Sequence, residues 1–241
     1  MAVDVSARPE ANELLVSVAE QLKVPLAIIA RHAELGSVPG GQPVDAATIA
    51  TQADAALLLV DSYLLGLELL RTQTQLELEP VSVSSLLVDA AHDLHGFARQ
   101  YGVDVEIETA GKYGPVMSNA RGLKAALLSL GFALVEAQAA VETPSRRRPL
   151  VLLAAHRTPH GIVAGMYGTH QTVSAEAWRR AQDLVGKAKQ PFTELGSGSA
   201  AGLFVADTIL RSMDSRLRVG RYLRHGGLAA TLQPSRQLQL V

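Results

Sequence analysis

Cysteine is absent from the 241 residues, which excludes disulfides, thiolate zinc sites and thiol nucleophiles together. Aromatic residues make up only 4% of the chain, so any core must be built from Ala, Leu and Val, side chains suited to close helix packing. Charge of one sign is lacking too. The 22 Lys and Arg nearly balance the 23 Asp and Glu, which removes a global electrostatic case for nucleic acid or a membrane surface as partner. The one basic run, Arg146 to Arg148, follows Pro144-Ser145 and reads as a solvated loop. No apolar run reaches the roughly 18 residues of a membrane span. Leu57 to Leu70 comes nearest and is broken by Asp61, Ser62, Gly66 and Glu68. Met1 to Asn12 carries acids and a proline, unlike the basic-then-apolar start of a signal peptide. A cytoplasmic location without membrane insertion is expected, with any sensory input on another chain.

What is present is helical periodicity. Leu14 or Leu15, Val18, Leu22, Leu26, Ile29 and Ala33 share one helix face between about Pro9 and Leu35, with a bend expected at Pro25. Gly36 to Gly41 is rich in turn-forming residues. Asp45 then occupies an N-cap position before a second long helix through Ile49, Ala53, Leu57, Val60, Leu64, Leu67 and Leu70. The pair predicts an antiparallel hairpin over residues 8–74. A hairpin alone leaves its apolar stripes uncovered. Dimerisation into a four-helix bundle is the simplest way to bury them, with packing against the rest of the chain as the alternative.

Beyond Gln73 the pattern changes. Leu76 to Pro80 alternates like an edge strand, and Ser82 or Ser84 can cap a helix running to Tyr101. Val103 to Glu108 alternates with period two, Pro115 to Met117 is a short strand, and Ser118 or Asn119 opens a helix through Val141. Strands at Leu150–His156 and Gly161–Tyr167 flank a Pro-His-Gly turn. A helix near Ala175–Ala188, a glycine-rich loop, a helix from Ala201 to Met213 and strands at Arg216–Gly220 and Leu228–Leu232 follow. The expected class is α+β: the hairpin, then over residues 75–241 an α/β sandwich with helices on one face of a mixed sheet.

Leu15-Val-Ser-Val-Ala-Glu-Gln-Leu-Lys-Val-Pro-Leu26 resembles the dimerisation and phosphotransfer segment of sensor histidine kinases, with Leu22, Lys23, Pro25 and Leu26 matching. The second half is similar to that family's GHKL-type ATP-binding domain. The matching segments are Leu76 to Leu87, the helix from Arg121 to Leu130, the pair Pro191-Phe192, the glycine box Gly198 to Leu203, and Gly226-Gly227 at the final hairpin.

The resemblance implies where the chemistry would lie, and there the residues differ. The phospho-accepting histidine falls on Glu20, its acidic neighbour on Gln21, and the threonine that positions water for dephosphorylation on Val24. A carboxylate is a poor substitute for an imidazole nucleophile, although Glu20 resembles a phosphohistidine in its negative charge. Valine neither donates nor accepts a hydrogen bond. The magnesium-binding asparagine aligns near Ala133, the adenine-binding aspartate near Gly168, and the glycines after it near His170 and Thr172. The glycine box keeps Gly198 and Gly202 but has Ala200 in the middle. It reads as a tight turn into a helix, whose amides are the one remaining anion-binding feature.

A scaffold retained while its chemistry is lost implies a pseudo-histidine kinase: not an enzyme, with no cofactor and no metal. It is expected to act as a homodimer, docking a response-regulator receiver domain or a related kinase through Glu20, Gln21, Lys23 and Val24. The alternative is a divergent kinase or phosphotransferase that uses another histidine. His32 lies about three turns beyond Glu20, and His92 and His95 follow the linker. His156 and His160 flank a turn without metal-ligand spacing.

Overall fold

The computed structural model describes residues 8–37, 45–111, 113–141, 148–170, 173–184 and 197–235. Two long helices come first, α1 (Arg8–Ser37) and α2 (Ala46–Thr72). α1 continues through Pro25; proline removes one intrahelical hydrogen bond there without ending the helix. Asp45 caps α2, accepting from the Thr48 amide at 3.1 Å. At the far end Gln73 turns left-handed, with φ 52°, and its N–H donates to the Leu69 carbonyl.

α1 and α2 pack against each other, and α2 also packs against the rest of the chain. Its Ala55, Leu59, Tyr63 and Leu69 belong to the same apolar core as the helices that follow. The inner face of α2 is therefore covered from within the chain, as in the alternative considered for the hairpin.

The remainder is β1 (Glu79–Val81), α3 (Val83–Gln100), β2 (Asp104–Ala110), β3 (Val116–Ser118) and α4 (Ala120–Ala139), followed by β4 (Leu150–Thr158), β5 (Gly161–Gly168), α5 (Ala175–Leu184), α6 (Ser197–Arg211), β6 (Arg218–Tyr222) and β7 (His225–Pro234). Ser82 and Asn119 cap α3 and α4. The sheet runs β1-β3-β7-β5-β4-β2, with β6 paired to β7. β2 and β4 are parallel and the other pairs antiparallel.

Period-two alternation sorts the sheet residues into two layers. Val151, Leu153 and Ala155 of β4 join the main core beneath the helices. Leu152 and Ala154 join Tyr167, Tyr222 and Ala229 in a small cluster on the opposite face. α4 is long and apolar enough to cross a membrane, but it is the central helix of the core, with fourteen buried residues from Gly122 to Gln138.

Three expectations are corrected. The strand expected at Leu76–Pro80 begins only at Glu79, because the Leu76 amide is used by the Ser212 carbonyl instead. α4 stops at Ala139, short of Val141. α6 begins at Ser197 rather than Ala201, so Gly198, Ala200 and Gly202 lie within a helix and not in a turn ahead of it.

Candidate functional site

On α1, Glu20 and Gln21 are helical, and their side chains lie outside the described residues. Lys23 and Val24 are exposed, Val24 at 39%, while Pro25 between them and Leu26 is buried. This stretch of α1 therefore presents an apolar side chain to solvent where a polar one was expected from the resemblance. His32 on the same helix is half-buried, and His92 and His95 on α3 are exposed.

The second group of positions converges where α4, α6 and the end of β5 meet. α6 crosses α4 very closely. A Cβ built on Gly202 would lie 2.8 Å from the Ser129 carbonyl oxygen and 3.1 Å from Ala133 Cβ. Only glycine allows that approach, which explains its presence inside a helix despite a cost of about 1 kcal/mol relative to alanine. Ala133 is fully buried in the contact and has no oxygen to offer a magnesium ion.

At the end of β5, Gly168 lies against Gln138 of α4. A Cβ there would fall 2.3 Å from Gln138 Nε2. The Gln138 amide pairs with the backbone of His170: Nε2 donates to the carbonyl at 2.8 Å, and Oε1 accepts from the N–H at 2.9 Å. Gln138 is itself fully buried, so both halves of its amide need partners, and both are found on the backbone of His170, two residues past the end of β5. The space beside Gly168, where the resemblance puts an adenine-binding carboxylate, is filled by a side chain of the protein. Ala133 and Gly202 thus meet at one place along α4, and Gly168 and His170 meet Gln138 at another, near the end of the same helix. Thr172 lies outside the described residues, as do Pro191, Phe192 and the side chain of Ala200.

Close by, Glu136 of α4 faces both Tyr63 of α2 and Tyr101 after α3. Burial first, then this carboxylate, pushes both phenols far above their ordinary range. On the opposite sheet face Tyr222 stacks on His156 with ring centres 5.2 Å apart and lies 5.6 Å from Tyr167. Burial, with Tyr222 alongside, pushes the Tyr167 phenol up to about 12. Among the described residues no three His, Asp or Glu come close enough to hold a metal.

Gln138 was missed by sequence reasoning. Its signal was available: a glutamine two residues after Glu136 in the mainly apolar stretch Leu134-Val-Glu-Ala-Gln-Ala139, near the end of a helix that had to be central. Such a residue either faces water or answers a buried polar group, and here it does the second.

No family model matches the chain, and no curated protein matches it. Solved structures do. The crystal structure of full-length ShkA in complex with AMPPNP aligns with a TM-score of 0.54 at 17% identity, over 93% of this chain and 46% of that one. The histidine kinase ThkA in complex with the response regulator protein TrrA aligns at 0.52 and 13%, over 92% and 61%. A bacterial phosphotransferase aligns at 0.52 and 12%, over 95% and 98%. The chain has a histidine-kinase-like fold.

Proposed function

We propose that the chain acts by binding and not by phosphoryl transfer, as a cytoplasmic pseudo-histidine kinase of the two-component type. Residues 8–74 form its dimerisation domain and residues 75–241 a degenerate ATP-binding-like domain. The surface around Glu20, Gln21, Lys23 and Val24 docks a receiver domain or a related kinase. One observation carries this: the atoms that would have to make room for a nucleotide are packed against each other, with Gly202 on the Ser129 carbonyl and Gln138 beside Gly168. Substitutions by residues of the wrong chemistry at Glu20, Val24, Ala133 and Gly168 support the same conclusion.

The exposed side of α2 supports dimerisation. Leu57 and Leu64 are 63% and 57% exposed and stand seven residues apart, two helical turns along one stripe. Covering a leucine side chain is worth roughly 1.5–3 kcal/mol, so a second copy placed on this stripe gains appreciably.

The test is direct. The purified chain is expected to sediment as a dimer and to bind at least one receiver domain in titration calorimetry. Val24→Asp should weaken that binding about tenfold, or 1.4 kcal/mol, with the melting temperature unchanged. A monomer that binds no receiver contradicts the proposal.

A second possibility draws on the likeness to the bacterial phosphotransferase, which spans nearly all of both chains. Here a histidine other than the usual one, such as the half-buried His32 on α1, takes the phosphoryl group. An acid-labile, base-stable label from ATP or a phosphorylated receiver, lost on replacing a single histidine, would establish that alternative and end the binding-only account.

A further inference from the structure

β2 is an edge strand. Among the described residues its one sheet neighbour is β4, to which it pairs in parallel from Asp104 to Ala110. The Asp104 amide donates to the Pro149 carbonyl at 2.9 Å, so Asp104, Glu106 and Glu108 turn their backbone groups towards β4. Alternation along the strand then turns the N–H and C=O groups of Val105, Ile107 and Thr109 away from the sheet, as an open template for another strand.

The two sides of this edge differ in character. On the helix side a groove of about 930 Å³ lies between β2, α3 and the start of α2. Val105, Ile107, Val88, Ala91 and Leu58 line it, and Ile107 and Val88 are 41% and 52% exposed. On the opposite side a cleft of about 760 Å³ reaches the β6–β7 turn, lined by Asp104, Glu106 and Glu108 along β2, with Arg148, Arg224 and His225 at its other walls. Three carboxylates thus stand in a row along one side of the strand. Asp104 is 3.8 Å from the exposed Arg148, Glu108 accepts from the Tyr222 hydroxyl at 3.2 Å, and Glu106 has no partner among the described residues. His225 is nine-tenths buried against the same cleft, and its Nδ1 has no hydrogen-bond partner among the described residues.

Charges on an edge strand often serve only to repel other strands. A purely protective row does not account for the aliphatic side chains of Val105, Ile107, Val88 and Leu58 in the groove on the other side, nor for a buried ring nitrogen in the wall of the cleft with no partner among the described residues. We propose that β2 accepts an added strand from a protein partner, an extended segment in which Lys or Arg alternates with Val, Ile or Leu. Its backbone bonds to Val105, Ile107 and Thr109. Its cations lie along the acidic row, and its aliphatic side chains enter the groove beside Ile107 and Val88. Main-chain bonds supply affinity in such strand addition, and the alternate side chains supply selectivity.

The probe is a fluorescein-labelled synthetic peptide of alternating Lys and Val, compared with the same composition arranged as a Lys block and a Val block. The full-length chain is expected to bind the alternating peptide at least tenfold more tightly than the blocked one. Ile107→Pro removes an outward N–H that has no strand partner among the described residues, which an edge strand tolerates, and should abolish binding. Glu106→Lys should weaken it. Hydrogen exchange of the wild-type chain with saturating peptide should slow at Val105, Ile107 and Thr109, and stay unchanged at Asp104, Glu106 and Glu108, already bonded to β4. Equal binding of the two peptides, no binding at millimolar peptide, or no slowing at the three outward amides would overturn the proposal. So would full binding by a folded Ile107→Pro chain; if that variant does not fold, the exchange pattern of the wild type decides.

Discussion

Two places in the helical layer are packed by opposite rules. Where α6 crosses α4, glycine and alanine let the helices approach until Gly202 meets the Ser129 carbonyl. Further along α4, Gln138 fills the side of Gly168 and closes its hydrogen bonds on His170. On the outer side of α2, by contrast, Leu57 and Leu64 stand in solvent, and on α1 so does Val24. The inner region is satisfied by atoms of the same chain. The outer region is left with apolar surface that no described residue covers. A fold whose interior is closed and whose hairpin surface remains open is suited to being bound, and this contrast underlies the proposed function.

The comparison breaks first at Gly202. Gly202→Leu is expected to cost about 3 kcal/mol or more, since backbone rather than a flexible side chain stands in the way. It is measured as a lower urea midpoint with the slope unchanged. Wild-type stability in that variant would mean that the helices are not closed on each other.

Gly168→Asp restores the carboxylate that the family resemblance calls for and drives it into Gln138. A loss of about 2 kcal/mol is expected. Combining it with Gln138→Ala should reveal a coupling of about 1 kcal/mol in a double-mutant cycle. Strict additivity would show that Gln138 does not fill that space.

Alkaline pH gives a smaller effect. The buried Tyr167 phenol ionises near pH 10 when unfolded and at about 12 when folded. A raised folded value stabilises the native state fully below the unfolded value, and this contribution is lost as pH climbs from about 10 through 12, because the unfolded chain releases its proton first. Melting temperature should therefore fall less steeply above pH 10 in Tyr167→Phe than in wild type. Equal slopes would place that ring in water.

The smallest effect on the single chain is expected outside. Leu57→Ser combined with Leu64→Ser should change its own stability by no more than about 0.5 kcal/mol while shifting sedimentation towards monomer. If the sedimentation is unchanged, the open stripe is not the dimer contact.

Much of the architecture was legible because its signals are local. Asp45, Ser82 and Asn119 are found at the helix starts where their side chains can cap free amides, and the alternation of Val103 to Glu108 places β2 within a residue or two. The inner face of α2 was not legible as such. An amphipathic stripe states that something covers it but not whether the cover is a second copy or α4 and α6. The start of α6 was misplaced for a related reason: the glycine-rich stretch up to Ala200 read locally as loop, and the crossing that suits small residues to a helix there is not visible in the sequence. Of the candidate positions, Ala133, Gly168, His170 and Gly202 were named from order and spacing alone, while Gln138, which packs against Gly168 and bonds His170, carried no motif at all.

The central claim is tested most directly by the melting temperature of the intact chain with and without millimolar Mg·ATP. A nucleotide present at about one hundred times its dissociation constant stabilises by roughly 2.7 kcal/mol, a readily visible rise. The binding account predicts no shift. A clear, saturable rise would contradict it, showing that a nucleotide finds room despite the close packing at Gly202 and at Gly168.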